Sequence, residues 1–372
     1  MDGKIGYRIF RTWDHSTNWI ENVPGQQEYG VANYYAKDPD WFATEYETMV
    51  DWCAAHGVDA ICVAGLLRDR HVDFWMEGYP AQDAGLIAAK RVCAYGREKG
   101  VRVCLEAGVF SHGGVYFRGV SERSLETFLE RHPEARRMDA SGRPVVRRFA
   151  PPMGHLSFGE GDPAHPLMRR FACDSVDWVF SAIPGLGGIR FMDDPGELQD
   201  ELVKIVRARD PEALVLGGHP GAGVLDVRHT DAGSQWGGVR GALALEDIRA
   251  LCRSAAGGRA DGVSLWAEVS PHRANAEFNY LALAFFSADP ARTAEDFVRT
   301  EMAPRLGGEA AAARYLALAA TADDPRGIPA AAREIAVLAA RQTDEAALSR
   351  WFSLAEFLQG LRWQAEEREE LS

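Results

Sequence analysis

Long apolar runs are missing from this 372-residue chain. The longest, around Tyr280 to Phe286 (YLALAFF), falls well short of the ~20 residues a membrane-spanning helix needs. The opening MDGKIGYRIF has no basic stretch followed by an apolar core, so no secretory leader is expected and the cytoplasm is the default location. Cysteine is sparse: Cys53, Cys62, Cys93, Cys104, Cys173 and Cys252 are widely spaced with no CxxC. That excludes a disulfide framework and a thiolate zinc site, and leaves reduced thiols packed as small hydrophobes. Positive charge is in deficit, with 41 Lys and Arg against 54 Asp and Glu and a net charge of -13. Nucleic-acid backbones and anionic membrane surfaces are therefore excluded as natural partners, whereas a neutral ligand is unaffected. No GxGxxG follows the first apolar run, which argues against an open dinucleotide-binding sheet. No other cofactor motif is visible, and no cofactor is expected.

What is present is a folded composition, 47% hydrophobic, organised as short β-branched runs alternating with amphipathic stretches. KIGYRIFRT, VDAICVAG, VRVCLEAG, GGIRFMD, ALVLGG and DGVSLWAE read as strands, each ending in or near a glycine or a polar residue. Helices are predicted over 41–56 and 81–99, closed by Gly57 and Gly100. Further helix starts are predicted at Asp162-Pro163, Asp194-Pro195 and Ser270-Pro271, each with a capping side chain followed by proline. The βα order predicts an α/β fold, a (β/α)8 TIM-type barrel with some irregularity, over residues 1–290. Any strand between His219 and Leu243 is not legible. The connection 108–161 is unusually long, carries its own predicted helix over 122–132, and reads as a loop covering a substrate. Residues 291–372 are Ala-rich and read as a helical C-terminal region.

In such a barrel the chemistry sits where the strands end. Asp193 and Asp194, in GGIRFMDDPGE, are adjacent carboxylates at one such end. Asp194 precedes Pro195 and Glu197 and doubles as a helix cap, whereas Asp193 has no capping role and is the stronger catalytic candidate. Glu268 ends another strand beside Trp266, with an ion pair to Arg273 as its plainer reading. Glu106 ends a third, with Arg68 or Arg118 as plain partners. These four are the candidate catalytic carboxylates. Candidate substrate-binding residues at the same ends are Trp13, Asp14, His15, Asn18, Arg68, His112, Tyr116, His219, Trp236 and Trp266. Flat rings hold the C–H faces of sugars, although aromatics are also ordinary core material.

TWDHSTNW, HPEARRMDASGRP, GSQW and the run from AEVSPHRANAEFNYLALAFF to APRLGG resemble the glycoside-hydrolase-like TIM-barrel proteins of bacteria. The resemblance spans most of the chain and implies a barrel with a helical tail and carbohydrate chemistry. Members of that group carry a longer, Cys-containing acidic loop after the fourth strand, where this chain runs straight into a helix. The Asp193-Asp194 pair is also similar to the paired aspartates of O-GlcNAcase-like hexosaminidases, in which one carboxylate orients the acetamido group and the other is the general acid.

Three functions follow. The first is hydrolysis of a small glycoside or oligosaccharide, with one carboxylate donating a proton and another stabilising or attacking the sugar; it calls for no metal. The second is a metal-dependent sugar isomerase or epimerase using Glu106, Asp193, His219 and Glu268 as ligands. The third is a barrel that binds carbohydrate without cleaving it, suggested by the short loop after Asp194.

Overall fold

The computed structural model describes residues 5–14, 16–20, 39–68, 81–116, 122–148, 157–221, 223–234 and 239–370. The chain opens with β1 (Tyr7–Trp13), α1 (Pro39–His56), β2 (Ala60–Ala64), α2 (Ala81–Lys99) and β3 (Arg102–Ala107). An excursion follows, with α3 (Leu125–Arg131) and an antiparallel pair of β4 (Val146–Arg148) and β5 (Ser157–Gly159). The βα order resumes with α4 (Pro166–Ala182), β6 (Gly188–Phe191), α5 (Gln199–Arg209), β7 (Leu214–Leu216), β8 (Val227–Thr230), α6 (Leu245–Gly258), β9 (Gly262–Trp266) and α7 (Ala274–Ala288).

Seven of these strands form one parallel sheet in the order β7-β6-β3-β2-β1-β9-β8. Side-chain alternation gives it two apolar faces, as a parallel sheet covered by helices requires. Phe10, Ile61, Val63, Val103, Leu105, Ile189 and Phe191 pack outward into the large cluster shared with the helices. Ile9, Ala60, Cys62, Cys104, Leu214 and Leu216 form a second, inner cluster. Residues of β1 and β7 share that cluster although three strands separate them in the sheet, so the sheet curls around an axis. The Leu225 N–H donates to Val215 O at 2.9 Å, and a single parallel bridge, Leu216 to Leu225, carries the curl from β7 toward β8. The result is a (β/α)8-type barrel with seven regular strands among the described residues and a seam between β7 and β8.

The predicted strands and the first two helices are where the sequence puts them, and Gly57 and Gly100 take the left-handed conformation, φ +69° and +76°. Three predicted helix starts shift. Asp162 caps only a local turn, accepting the Ala164 N–H at 2.9 Å, and α4 begins at Pro166. Ser270 does the same for His272 at 3.2 Å, and α7 begins at Ala274. After Asp194 a 3-10 turn (Gly196–Leu198) precedes α5. In each case the side chain satisfies an N–H two residues on, the Asx or Ser turn that competes with true helix capping.

Beyond α7 come α8 (Ala294–Phe297), a π-helical turn (Val298–Met302), α9 (Ala303–Leu306), α10 (Glu309–Ala319), α11 (Ile328–Ala339) and α12 (Glu345–Glu370). They pack on α7: Arg350 donates two 2.7 Å bonds to Glu277, the Ala274 N–H donates to Ser353, and Tyr315 donates to Asn275. All six cysteines are free thiols, and Cys173 alone is only half-buried. No helix among the described residues is long and apolar enough to cross a membrane.

Candidate active site

Inward-pointing positions change character toward the strand ends. Below lie Ile9, Cys62 and Cys104; above them come Arg11 on β1, Glu106 on β3, Arg190 on β6 and His229 on β8. Glu106 is fully enclosed and takes both Nε and Nη2 of Arg11, at 3.1 and 2.6 Å, and Nη1 of Arg190 at 2.7 Å. Burial alone would raise its carboxyl, but the two guanidiniums outweigh that and hold it below the ordinary range. An ionised carboxylate forked by arginine in a low-dielectric interior is a fixed charge, and removing either sign leaves the other stranded.

On the other side of Arg11 stands Trp266, whose ring lies 4.2 Å from the guanidinium carbon. The Trp266 indole N–H donates to Asp231 Oδ1 at 2.5 Å, and His229 Nε2 approaches the same oxygen at 2.9 Å. Those two bonds hold Asp231 ionised: the His229 bond, larger than the opposing effect of burial, sets its carboxyl below the usual value. Burial drives His229 toward its neutral form. A neutral ring donating from Nε2 must accept at Nδ1, and the Ser264 hydroxyl lies there at 3.0 Å. About half of the Asp231 side chain, 48%, remains open to solvent.

A cavity of about 140 Å³ opens beside this cluster at the β7–β8 seam. Its floor is Ile9, Cys62, Leu216 and Leu225; its polar wall is Arg11, Arg190, His229 and Ser264; the turn after β7, Gly217 and Gly218, closes one side. Gly217 has φ +76°, and a Cβ there would sit 2.3 Å from Phe191 O, so the turn hugs the end of β6 only as glycine. Against that turn the Gln199 side chain bonds both the N–H and the C=O of His219, at 2.7 and 2.8 Å. This sets His219 Nε2 3.1 Å from Asp194 Oδ2. Asp194 also accepts the Gly196 N–H at 2.9 Å, and 59% of its side chain is exposed.

The strongest sequence candidate has a different occupation. Asp193 accepts the N–H groups of Val109 and Phe110, at 2.9 and 2.8 Å, and the Ser111 hydroxyl at 3.0 Å. It follows Ile189 and Phe191 in parity, and that face turns outward to the helices, so its carboxylate clamps the turn after β3 rather than facing the axis. Gly108 permits the clamp, since a Cβ would lie 2.3 Å from Ser111 O. His112 follows with φ +55°, unusual for a non-glycine residue, and its Nδ1 is 2.6 Å from Ser111 Oγ.

Glu268 shares the parity of Ser264 and Trp266 but is enclosed and engaged by its neighbours. It accepts the Trp13 N–H at 3.2 Å and the Ser16 hydroxyl at 2.5 Å, with Arg240 at 3.7 Å, and is 3% exposed. Its sequence-predicted partner Arg273 pairs instead with Glu356, and Glu106 pairs with Arg11 and Arg190 rather than Arg68, while Arg118 lies outside the described residues. Trp13, Asp14, Asn18, Arg68 and Tyr116 are buried, Asp14 and Arg68 forming an ion pair at 3.3 Å, so this group is packing around the mouth rather than open sugar-binding surface. His15 and Trp236 lie outside the described residues. The four proposed metal ligands are not brought together: Glu106, Asp193 and Glu268 face separate partners and His219 faces Asp194. Among the described residues no three His, Cys, Asp or Glu side chains group as a metal site.

Sequence reasoning missed Arg11, Arg190, His229 and Asp231. Arg11 and Arg190 were hidden inside apolar runs, where the available signal was parity: each alternates with residues of the outward cluster. His229 and Asp231 sit on and after β8, VRHT, a strand of four residues whose pattern is too short to read.

No family model matches the chain, and no curated protein matches it. Solved structures similar to it include a noncanonic maltogenic α-amylase from Thermotoga neapolitana, at 11% identity and TM-score 0.38, covering 62% of this chain and 49% of that one. An α-amylase from Geobacillus thermoleovorans matches at 14% and 0.38, covering 59% and 47%. An α-galactosidase from Thermus thermophilus matches at 16% and 0.35, covering 76% and 50%. The chain thus spans about half the length of these structures. The barrel itself is read from its strand order.

Proposed function

We propose that the protein is a glycoside hydrolase acting on a small glycoside or oligosaccharide at the mouth between β6 and β8. One observation carries this reading: two carboxylates with solvent-reaching oxygens, Asp194 after β6 and Asp231 after β8, follow the strands on either side of β7, whose turn walls the cavity. Glycosidic cleavage needs two carboxyl groups from different sides, one giving a proton to the leaving oxygen and one stabilising or attacking the oxocarbenium-like carbon. Asp231, held ionised by His229 and Trp266, suits the second role. Asp194, whose Oδ2 lies 3.1 Å from His219 Nε2, is assigned the first. Trp266 supplies an aromatic ring beside Asp231, held by Arg11 over its face and by His229 at 5.7 Å between ring centroids.

The test is a panel of nitrophenyl glycosides, including N-acetylhexosaminides and glucuronides, with wild type, Asp231→Asn and Asp194→Asn, each with and without EDTA. Chelator-insensitive turnover that both substitutions abolish supports the proposal. Saturable sugar binding without turnover supports a barrel that binds carbohydrate without cleaving it, and turnover indifferent to both substitutions places the chemistry elsewhere.

A further inference from the structure

The axial arginines are unequal. Arg11 spends two of its three nitrogens on Glu106 and lays its plane on Trp266. Arg190 gives only Nη1 to Glu106, and this is its one hydrogen bond among the described residues. Its side chain remains 25% exposed and lines the cavity. With only Nη1 engaged among the described residues, the guanidinium of Arg190 keeps two further donor nitrogens, Nε and Nη2, on a side chain that lines the cavity. The other carboxylates near the cavity have partners of their own: Asp231 is held by His229 and Trp266, and Asp226 by Arg228 at 3.2 Å. The rest of the wall includes the glycine turn after β7, which presents backbone, and Asp226, whose carboxylate is engaged by Arg228.

A guanidinium half-neutralised by a buried glutamate, fixed in direction by that bond and open on its other edge, is built to accept a planar or tetrahedral oxyanion in forked geometry. A neutral hydroxyl would leave most of that capacity unused. Arg190 stands on β6, across β7 from Asp231, which follows β8, and the carboxylates nearest it are already engaged, Glu106 by both arginines and Asp226 by Arg228. We propose that the cavity is selective for sugars bearing a compact oxyanion, a carboxylate or a phosphate, received by Arg190. This inference rests on the carbohydrate reading of the same mouth.

The experiment has a binding arm and a turnover arm, so that the two ideas fail separately. In the first, wild type, Arg190→Met and Arg190→Lys are titrated calorimetrically with D-glucuronate, D-galacturonate, glucose 6-phosphate, glucose, and inorganic phosphate. The expected result is at least tenfold tighter binding of one anionic sugar than of glucose by wild type. That preference should weaken with added salt, fall toward unity in Arg190→Met, and be intermediate in Arg190→Lys, which keeps the charge without the fork. Uronate over phosphosugar assigns a carboxylate subsite, and the reverse assigns a phosphate subsite. In the second arm, nitrophenyl glucuronide and glucoside are compared as kcat/KM ratios. Equal binding of glucose and every anionic sugar by wild type overturns the inference whatever happens to the variants, and so does inorganic phosphate binding as tightly as the sugars. Turnover of neutral glycosides with no anionic preference leaves the hydrolase reading standing alone. Anion-selective binding without turnover leaves the subsite standing and removes the hydrolase.

Discussion

Oδ2 of Asp193 lies 2.8 Å from the Phe110 nitrogen, and its partner oxygen lies 2.9 Å from that of Val109. One side chain from the end of β6 thereby closes the turn that follows β3. Asp193→Ala should cost about 2 kcal/mol, the loss of charge-assisted bonds to backbone donors that burial leaves with nothing else. Amide exchange would find the Val109 and Phe110 protons losing protection. Unchanged protection together with abolished catalysis would instead make Asp193 a chemical group.

Glu106 is the hinge of the axial charge network. Replacing it by glutamine keeps its shape and removes the only enclosed negative charge between Arg11 and Arg190, so stability should fall by about 3 kcal/mol or more. Urea unfolding measures this. A loss under 1 kcal/mol would mean that water or an anion already compensates the arginines, and adding a uronate to the variant would then separate those cases.

His112 ties stability to pH. Burial, reinforced by the nearby Arg147 and opposed by Asp193, Glu160 and Glu106, lowers its imidazolium to about 4. Between that value and the ordinary ~6.5 the unfolded chain holds a proton that the native state does not, so the contribution is complete above about pH 6.5 and is lost as pH falls toward 4. His229 shifts in the same direction. Asn tolerates the left-handed conformation of position 112 and does not titrate there. Wild type should therefore lose on the order of 2 to 3 kcal/mol more than His112→Asn between pH 7.5 and pH 4. Parallel curves for the two proteins would contradict a buried neutral His112.

Much of the barrel was legible and much of its site was not, for one physical reason. A parallel strand covered by helices on one side and a barrel core on the other reads as an apolar run, so IGYRIF and GGIRF announce strands without showing which residues face the axis. Arg11 and Arg190 sit inside those runs. The conspicuous carboxylates, Asp193 and Glu268, lie just past the strand ends, where neighbouring donors reach them, the Val109 and Phe110 N–H groups for Asp193 and the Trp13 N–H and Ser16 hydroxyl for Glu268. Asp194, read from the sequence as a helix cap or a catalytic carboxylate, forms a local turn ahead of α5 and leaves 59% of its side chain exposed. Asp231 lay beyond a strand too short to show a period.

Asp231 is the carboxylate proposed to meet the sugar. The direct measurement is turnover by Asp231→Ala on the best aryl glycoside of the wild type, with and without added azide. Turnover should fall roughly 10³-fold or more and be partly restored by azide with formation of a glycosyl azide, because a small anion can occupy the vacated place beside His229 and Trp266. Turnover within a few fold of wild type would contradict it.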